Sequence, residues 1–266
     1  MVQTSGGYRT TMIEYDVKDN VAEIRLNNPP INGITGDFMD RLMDALRRAD
    51  ADPEVRAVII GSAIARRFCG GLDIPEFLRN APEQAHAAVS KLYVELHELQ
   101  ANLGKPTIAA ITGSVRGGGI SIAITCDMIV AADDATFGYP EMEVGLLPAI
   151  HYTHLPRIVG RYRAFDLLFT GRTFDAREAM ALGLVSRLAP EAQVQDEARA
   201  LARVLAAKSP TLMRMGKRAF TRATDNGYRQ GAASAVDLIT AVFATRDGQE
   251  GLAAFAEKRK PKWRTD

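Results

Sequence analysis

Cysteine is scarce in this chain: the 266 residues contain only Cys69 and Cys126. Neither has a second cysteine at CxxC spacing or histidine and aspartate neighbours at the spacing of metal ligands. This argues against a disulfide framework and a zinc site, and the sequence predicts neither a metal nor a redox cofactor. The simplest interpretation is two buried, reduced thiols in a cytosolic protein.

Long apolar runs and an excess of one charge are also missing. No stretch reaches the roughly 18 apolar residues of a membrane-spanning helix, and the polar residues 1–11 lack the apolar core of a signal peptide. Lysine and arginine (33) balance aspartate and glutamate (32) to a net charge of +1, and there is one tryptophan. The sequence therefore predicts a cytoplasmic protein with no membrane and no nucleic-acid partner.

Apolar residues, at 47% of the chain, are plentiful enough for a sizeable core. Short apolar runs alternate with amphipathic stretches, which predicts an α/β architecture whose strands are buried by helices. The predicted strands are 13–16, 21–26, 57–61, 107–111, 128–132 and 135–138. From residue 161 onward the pattern is helical, and Asp175 with Glu178 forms a capping-box pattern at the start of one helix. The long predicted helices are 36–50, 83–103, 191–207, 210–223, 227–245 and 248–259.

Two glycine turns stand out because each follows a predicted strand and precedes a helix. Gly117, Gly118 and Gly119 follow the strand at 107–111, and Gly70-Gly71 follows the strand at 57–61. A strand, a glycine turn and a helix start leave backbone N–H groups without internal acceptors. One such turn alone is more typical of chain reversal than of a site. Two together could hold one carbonyl oxygen from two directions, as acyl-transfer or enolate chemistry requires.

The order and spacing of several segments resemble the crotonase family, also called the enoyl-CoA hydratase/isomerase superfamily. The resemblance covers about residues 12 to 263. The matching segments are 21–32, 68–73, 113–119, Cys126-Asp127, 137–141, 145–148 and 250–261.

This resemblance implies a crotonase-like spiral of repeated β-β-α units with a C-terminal helical region. Residues 1–200 would form the spiral core, and residues 201–266 would make trimer contacts and cover the active site. It further implies a homotrimer or a hexamer built as a dimer of trimers. Coenzyme A would enter only as part of an acyl-CoA thioester substrate, with no separate cofactor.

The family's catalytic groups map onto four positions. Two peptide N–H groups, here those of Leu72 and Gly118, would hold the thioester oxygen, and Glu141 would act as acid and base. Many hydratases of the family carry a second glutamate where this chain has Ser121, and a hydroxyl can only orient or relay a proton. The alternatives are therefore hydration, isomerisation with Glu141 as the single proton shuttle, another acyl-CoA reaction such as hydrolysis or carbon–carbon cleavage, or CoA binding with little catalysis. Taken without its family position, Glu141 would be interpreted as a solvated loop residue.

The remaining candidate residues would contact the substrate or its CoA moiety. Asp73 and the histidines each have a structural alternative, since Asp73 could cap a helix and a lone histidine is usually packed and hydrogen-bonded. His151 and His154 would share one face of a helix. Basic side chains before the first turn (Arg66, Arg67) and in the C-terminal tail (residues 258–260) could pair with CoA phosphates or simply be solvated. The predicted substrate-binding set is Arg67, Cys69, Gly70, Gly71, Asp73, Ile74, Gly117, Pro140, His151, Lys260 and Trp263, the last two reaching a neighbouring subunit's site.

Overall fold

Within residues 11–224 and 228–262, which the computed structural model describes, ten strands form two sheets. The larger sheet has the order β1-β2-β3-β5-β7-β10 and the smaller one β4-β6-β8-β9. The β1–β2 and β8–β9 pairs are antiparallel, and the other neighbours are parallel. The strands are β1 Ile13–Lys18, β2 Val21–Leu26, β3 Ala57–Ser62, β4 Arg67–Cys69, β5 Thr107–Ile111, β6 Ser114–Arg116, β7 Met128–Ala132, β8 Thr136–Gly138, β9 Phe174–Asp175 and β10 Arg187–Ala189.

Helices cover the larger sheet and form most of the C-terminal part. They are α1 Gly36–Ala51, α2 Ile74–Arg79, α3 Pro82–Ser90, α4 Leu96–Asn102, α5 Gly118–Ile124, α6 Ala149–Val159, α7 Arg161–Thr170, α8 Ala176–Ala181, α9 Val194–Ala206, α10 Pro210–Thr224, α11 Tyr228–Phe243 and α12 Arg246–Ala256. A π-helical turn, Lys91–Glu95, joins α3 to α4, and 3₁₀ turns occur at Pro140–Val144 and Glu191–Gln193.

The core lies between the larger sheet and the helices packed on it. All five residues of β5 are buried, as are residues 57–61 of β3, which is the continuous apolar pattern of strands covered on both faces. Helix α1 has a stripe of buried side chains on the face that meets the core. Helix α9 packs on β3 and β5. The buried α1 side chains include Phe38, Met39, Leu42, Met43 and Leu46, at helical spacing.

The chain alternates between the sheets in a regular way. Strands β3, β5 and β7 belong to the larger sheet, and the strand that follows each of them, β4, β6 or β8, belongs to the smaller one. This alternation is the repeated strand–strand unit of the predicted spiral, and the α/β fold class is confirmed. It also places the carboxyl ends of β4, β6 and β8 side by side, because these three strands are parallel neighbours.

Several predicted elements need correction. The helix expected at 83–103 is two α-helices, α3 and α4, joined by the π-helical turn. The helical pattern after residue 161 contains two short strands, β9 and β10. The segment 114–116 is the strand β6 rather than a connection. Asp175 does cap α8, and its side chain accepts from the Glu178 amide.

The C-terminal region is helical apart from the last described residues. Helix α9 runs across residue 200 and packs on the larger sheet. The division of the chain near residue 200, and the trimer contacts expected beyond it, stay predictions. Of the helices in the described part of the chain, none is long and apolar enough to cross a membrane.

Candidate active site

Three neighbouring strand ends meet at one cleft. Gly70, Gly71 and Leu72 follow β4, Gly117 and Gly118 follow β6, and Pro140 and Glu141 lie just beyond β8. All these residues line a cleft with a volume of about 710 Å³. The two predicted glycine turns and the predicted glutamate therefore lie together because their strands are adjacent in the smaller sheet.

The Leu72 amide is directed away from its strand partner. Leu72 forms a single parallel bridge with Ile34, in which the Ile34 N–H donates to the Gly71 carbonyl (2.8 Å) and the Asp73 N–H donates to the Ile34 carbonyl (3.0 Å). In such a bridge the peptide N–H of the central residue points to the other side. Gly71 has a φ of +95°, a conformation that favours glycine and that turns the chain here.

The Gly118 amide lies close to that of Leu72. Gly118 is the first residue of α5, where an N–H has no partner within the helix. A Cβ placed on Gly118 would be 3.7 Å from the Leu72 nitrogen, so the two turns are in contact. Among the described residues, no acceptor is found for either the Leu72 or the Gly118 N–H. Two adjacent unpaired amides can bind one oxyanion.

Glu141 lies against the second turn. It is in the 3₁₀ turn Pro140–Val144, and its Oε1 would be 2.9 Å from a Cβ on Gly117, whose φ is +46°. Its Oε2 is buried and has no hydrogen-bond partner among the described residues. Burial raises the pKa of the Glu141 carboxyl to about 7. A carboxyl with this pKa can both accept and donate a proton near neutral pH.

Most of the predicted substrate-binding residues line the cleft. Besides the residues of the strand ends, Arg67, Asp73 and Ile74 lie in its wall. The Asp73 carboxylate also caps α2 by accepting from the Glu76 amide at 2.8 Å, which supports the structural interpretation of that side chain. Apolar side chains complete the wall, among them Val144, Leu146, Leu147, Ile239 and Phe255.

Cys69 is near the first turn, but its side chain points into the core. The residue is fully buried, and its thiol donates to the Asn32 carbonyl at 3.0 Å. Burial raises the pKa of the Cys69 thiol to about 12, so it carries no charge near neutral pH. Cys69 is therefore not among the side chains that the structure brings to the cleft.

Ser121 and His151 also lie behind the cleft wall. Both are buried, and the Ser121 Oγ is 3.4 Å from the His151 Nε2. Burial lowers the pKa of His151 to about 3, and the neighbouring His154 acts in the same direction. His151 is therefore neutral near pH 7. The structure does not bring it to the cleft, and it places Ser121 beneath the second turn.

The basic residues have different surroundings. Arg66 forms ion pairs with Asp134 and Glu191, each at 3.0 Å, and lies outside the cleft. Lys260 is exposed and is not among the residues that line the cleft. Arg259 does line it, and it pairs with Glu250 at 2.6 Å. Trp263 lies outside the described residues.

Sequence reasoning missed three polar residues of the cleft wall. The Arg116 guanidinium donates to the carbonyls of Val115 and Thr136, and it has no carboxylate partner among the described residues. Its position directly before the triple glycine could have predicted that Arg116 lies near the site. Tyr93 lies in the π-helical turn, where periodicity gives no signal, and burial together with Glu141 raises the pKa of its phenol. Glu143 follows Glu141 by two residues.

The comparisons with known proteins identify the family. The family model described as enoyl-CoA hydratase/isomerase matches residues 16–266. The chain belongs to this family. It is an enzyme, as predicted, and the crotonase resemblance is confirmed.

Individual relatives match over nearly full length. A Mycobacterium tuberculosis protein described as a probable enoyl-CoA hydratase is 38% identical over 258 residues, which cover 96% of this chain and 98% of the relative. The crystal structure of an enoyl-CoA hydratase from Bacillus anthracis is 31% identical with a TM-score of 0.76, covering 96% of this chain and all of that chain. A methylmalonyl-CoA decarboxylase in complex with 2-nitronate-propionyl-CoA is 25% identical with a TM-score of 0.80, covering 96% of this chain and 99% of that one.

Metal ligation has no basis in the part of the chain described. No group of three or more His, Cys, Asp or Glu side chains there could hold a metal ion. The candidate site combines the two unpaired amides and the Glu141 carboxyl group with a largely apolar cleft, whose wall also carries Arg67, Asp73, Arg116 and Glu143.

Proposed function

We propose that the protein is an acyl-CoA-processing enzyme of the enoyl-CoA hydratase/isomerase type. The Leu72 and Gly118 amides polarise the thioester carbonyl, and Glu141 moves the proton. One observation carries this proposal: two unpaired amides and a buried carboxyl group with a raised pKa meet in one cleft. Coenzyme A enters only as part of the substrate.

The thioester oxygen gains negative charge as an enolate forms, and two N–H donors stabilise that charge. In isomerisation, the Glu141 carboxylate removes a proton from C2 of a 3-enoyl thioester and the electron pair moves into the thioester. The same carboxyl then delivers the proton to C4, and the product is the conjugated 2-enoyl thioester. Neither atoms nor electrons are gained from outside.

In hydration, the Glu141 carboxylate accepts a proton from water while the water oxygen bonds to C3 of a 2-enoyl thioester. The resulting enolate takes up a proton at C2. With Ser121 buried beneath the turn, one carboxyl group would serve both transfers. The names of the relatives favour hydration, and the lack of a second carboxylate at residue 121 favours isomerisation.

Arg67 supports binding of the nucleotide part of the substrate. Its side chain is half-buried in the cleft wall, and it forms no ion pair with the described residues. A guanidinium in this position can pair with a phosphate of coenzyme A.

The experiment is to incubate the protein with a 2-enoyl-CoA and, separately, a 3-enoyl-CoA, following ultraviolet absorbance and product mass. Loss of conjugation with a gain of one water shows hydration, and gain of conjugation at unchanged mass shows isomerisation. We expect Glu141→Gln to lower kcat by roughly two to four orders of magnitude, the usual contribution of a general acid–base. The exposed Glu83→Gln is the matched control.

Two results would contradict the proposal. If Glu141→Gln turned over either substrate as fast as the Glu83→Gln control, Glu141 would not be the acid–base. If acyl-CoA bound tightly but no enoyl-CoA reacted, the protein would be a CoA-binding protein or would catalyse another acyl-CoA reaction.

A further inference from the structure

The buried pair Ser121 and His151 has no part in the chemistry described above. Ser121 is in the first turn of α5, and His151 is in the first turn of α6. Their side chains are 2% and 1% exposed, and the Oγ–Nε2 distance of 3.4 Å joins the two helices. Burying a hydroxyl and an imidazole costs free energy unless they are hydrogen-bonded, so the pair needs an explanation.

The backbone N–H of Ser121 is hydrogen-bonded to the peptide group that carries the Gly118 amide. The Gly117 carbonyl accepts from the Ile120 N–H at 2.8 Å and from the Ser121 N–H at 3.3 Å. The Gly117 carbonyl and the Gly118 N–H belong to one planar trans peptide and point in opposite directions. Holding the carbonyl inside the first turn of α5 therefore directs the Gly118 N–H outward.

The imidazole of His151 is itself held in place. The Tyr139 ring meets it edge to face, with ring centroids 4.6 Å apart. With the imidazole neutral, either Nε2 or the Ser121 hydroxyl can donate in their contact at 3.4 Å. The order of contacts runs from Tyr139 through His151 to the Ser121 hydroxyl, and from the Ser121 backbone N–H to the Gly117 carbonyl. The Gly117 carbonyl also acts directly on the His151 imidazole, because it opposes the fall of the His151 pKa.

We propose that His151 is a positioning residue that acts through Ser121 to orient the Gly118 amide toward the thioester oxygen. This inference rests on the proposed function, in which that amide is one of the two oxyanion donors. The histidine that sequence analysis placed in the substrate pocket would act from behind the cleft wall.

The test uses the infrared carbonyl stretch of a bound acyl-CoA labelled with ¹³C at the thioester carbonyl. Hydrogen bonds to the oxygen lower this frequency, so it reports on the donors directly. We expect wild-type protein to lower the frequency and His151→Leu and Ser121→Ala to lose part of that shift. Their kcat should fall by roughly ten- to a hundredfold with little change in KM, less than the loss of a whole donor.

Three further variants separate orientation from packing. His151→Gln places an amide nitrogen near the position of Nε2, and we expect it to restore most of the shift. Leu155→Ala, which removes a buried apolar side chain from the same helix, should lower the melting temperature without changing the carbonyl frequency. The double variant Ser121→Ala with His151→Leu should be no worse than either single variant, because both act in one chain of contacts.

The outcomes distinguish this inference from the function on which it rests. If the wild-type protein leaves the carbonyl frequency of bound acyl-CoA unchanged, the proposed oxyanion hole is wrong. If the wild-type protein lowers it and His151→Leu lowers it equally, the oxyanion hole stands and the positioning role is overturned. An equal loss of shift in Leu155→Ala would also overturn that role.

Discussion

At the residue scale, Glu141 combines two properties that ordinary surface glutamates lack. Its Oε2 is buried without a hydrogen-bond partner among the described residues, and its Oε1 lies against Gly117 beside the second turn. The carboxylate form is therefore poorly solvated in the folded protein. The same burial that makes Glu141 a usable acid and base near pH 7 makes its charged form costly to the fold.

The stability of Glu141→Gln should depend on pH. The folded-state pKa of about 7 is above the ordinary value of 4.5, so the cost of ionisation is absent below about pH 4.5 and complete above about pH 7. We expect Glu141→Gln to be more stable than wild type at pH 8 by about 1–3 kcal/mol, the cost of a buried unpaired polar group, and to match it at pH 4.5. Urea unfolding at both pH values measures this. A variant that is less stable than wild type at pH 8 would show that the carboxylate is well solvated.

At the element scale, each component of the site follows a strand of the smaller sheet. Strands β4, β6 and β8 are only three residues each, yet their parallel pairing fixes where the next residues lie. Short helices begin almost directly after β4 and β6. Helix caps and glycine conformations therefore decide how the chain turns between each strand and the helix that follows it. Asp73 is such a cap.

Variants of Asp73 can distinguish its role as a helix cap from a role in substrate binding. We expect Asp73→Ala to lower the free energy of unfolding by about 1 kcal/mol, because the Glu76 amide loses its acceptor, and Asp73→Asn to keep most of that stability. Chemical denaturation gives the stabilities, and KM for the acyl-CoA is measured in parallel. If Asp73→Asn raised KM strongly at unchanged stability, the carboxylate would bind substrate as well as cap the helix.

The sequence predicted the elements whose apolar pattern is continuous or alternating. Strands β2, β5 and β7 match the prediction residue for residue: β5 and β7 are almost wholly apolar, and β2 alternates apolar residues with Glu23 and Arg25. Strands β4 and β6 were missed because each has three residues, too few for a periodic pattern of its own, whereas the equally short β8 was predicted within the longer segment 135–138. The glycine turns and Glu141 were correctly expected to share one cleft, through the resemblance rather than through periodicity.

The placement of His151 could not be predicted from the sequence. The spacing of His151 and His154 predicted that they share one face of a helix, and both residues do lie in the helix α6. Which side of the cleft wall that face meets depends on how α6 packs against α7 and α11 and on the contact of His151 with Ser121, thirty positions earlier in the chain. The nearness of Arg116 to the site could have been predicted from its place before the triple glycine, but the contact of its guanidinium with the Thr136 carbonyl of β8 could not.

At the scale of the whole molecule, several large apolar side chains remain exposed on α7. Tyr162 is 83% exposed and Phe165 is 58% exposed, and Phe165 stacks on Phe169 with centroids 4.1 Å apart. Exposed aromatic clusters of this kind are typical of protein–protein contacts. They favour contacts between subunits through α7, in addition to those that the resemblance implies for residues 201–266.

We expect the wild-type protein to have the mass of a trimer or hexamer in light scattering, and Tyr162→Asp with Phe165→Asp to shift it toward the monomer. A charge in a buried apolar contact is strongly unfavourable. Met180→Asp, at an exposed apolar position on α8 and outside residues 201–266, is the control. A monomeric wild-type protein would contradict the proposed assembly, and it would leave Lys260 and Trp263 without a neighbouring site to cover.

The alternation of the chain between two sheets builds the candidate site from three successive repeats. The first repeat contributes the Leu72 amide, the second contributes the Gly118 amide, and the third contributes Glu141. In the proposed function both oxyanion donors are backbone atoms, so we expect most side-chain substitutions to leave them in place. The reaction would then be decided by the few side chains that follow the second and third repeats, among them Ser121 and Glu141.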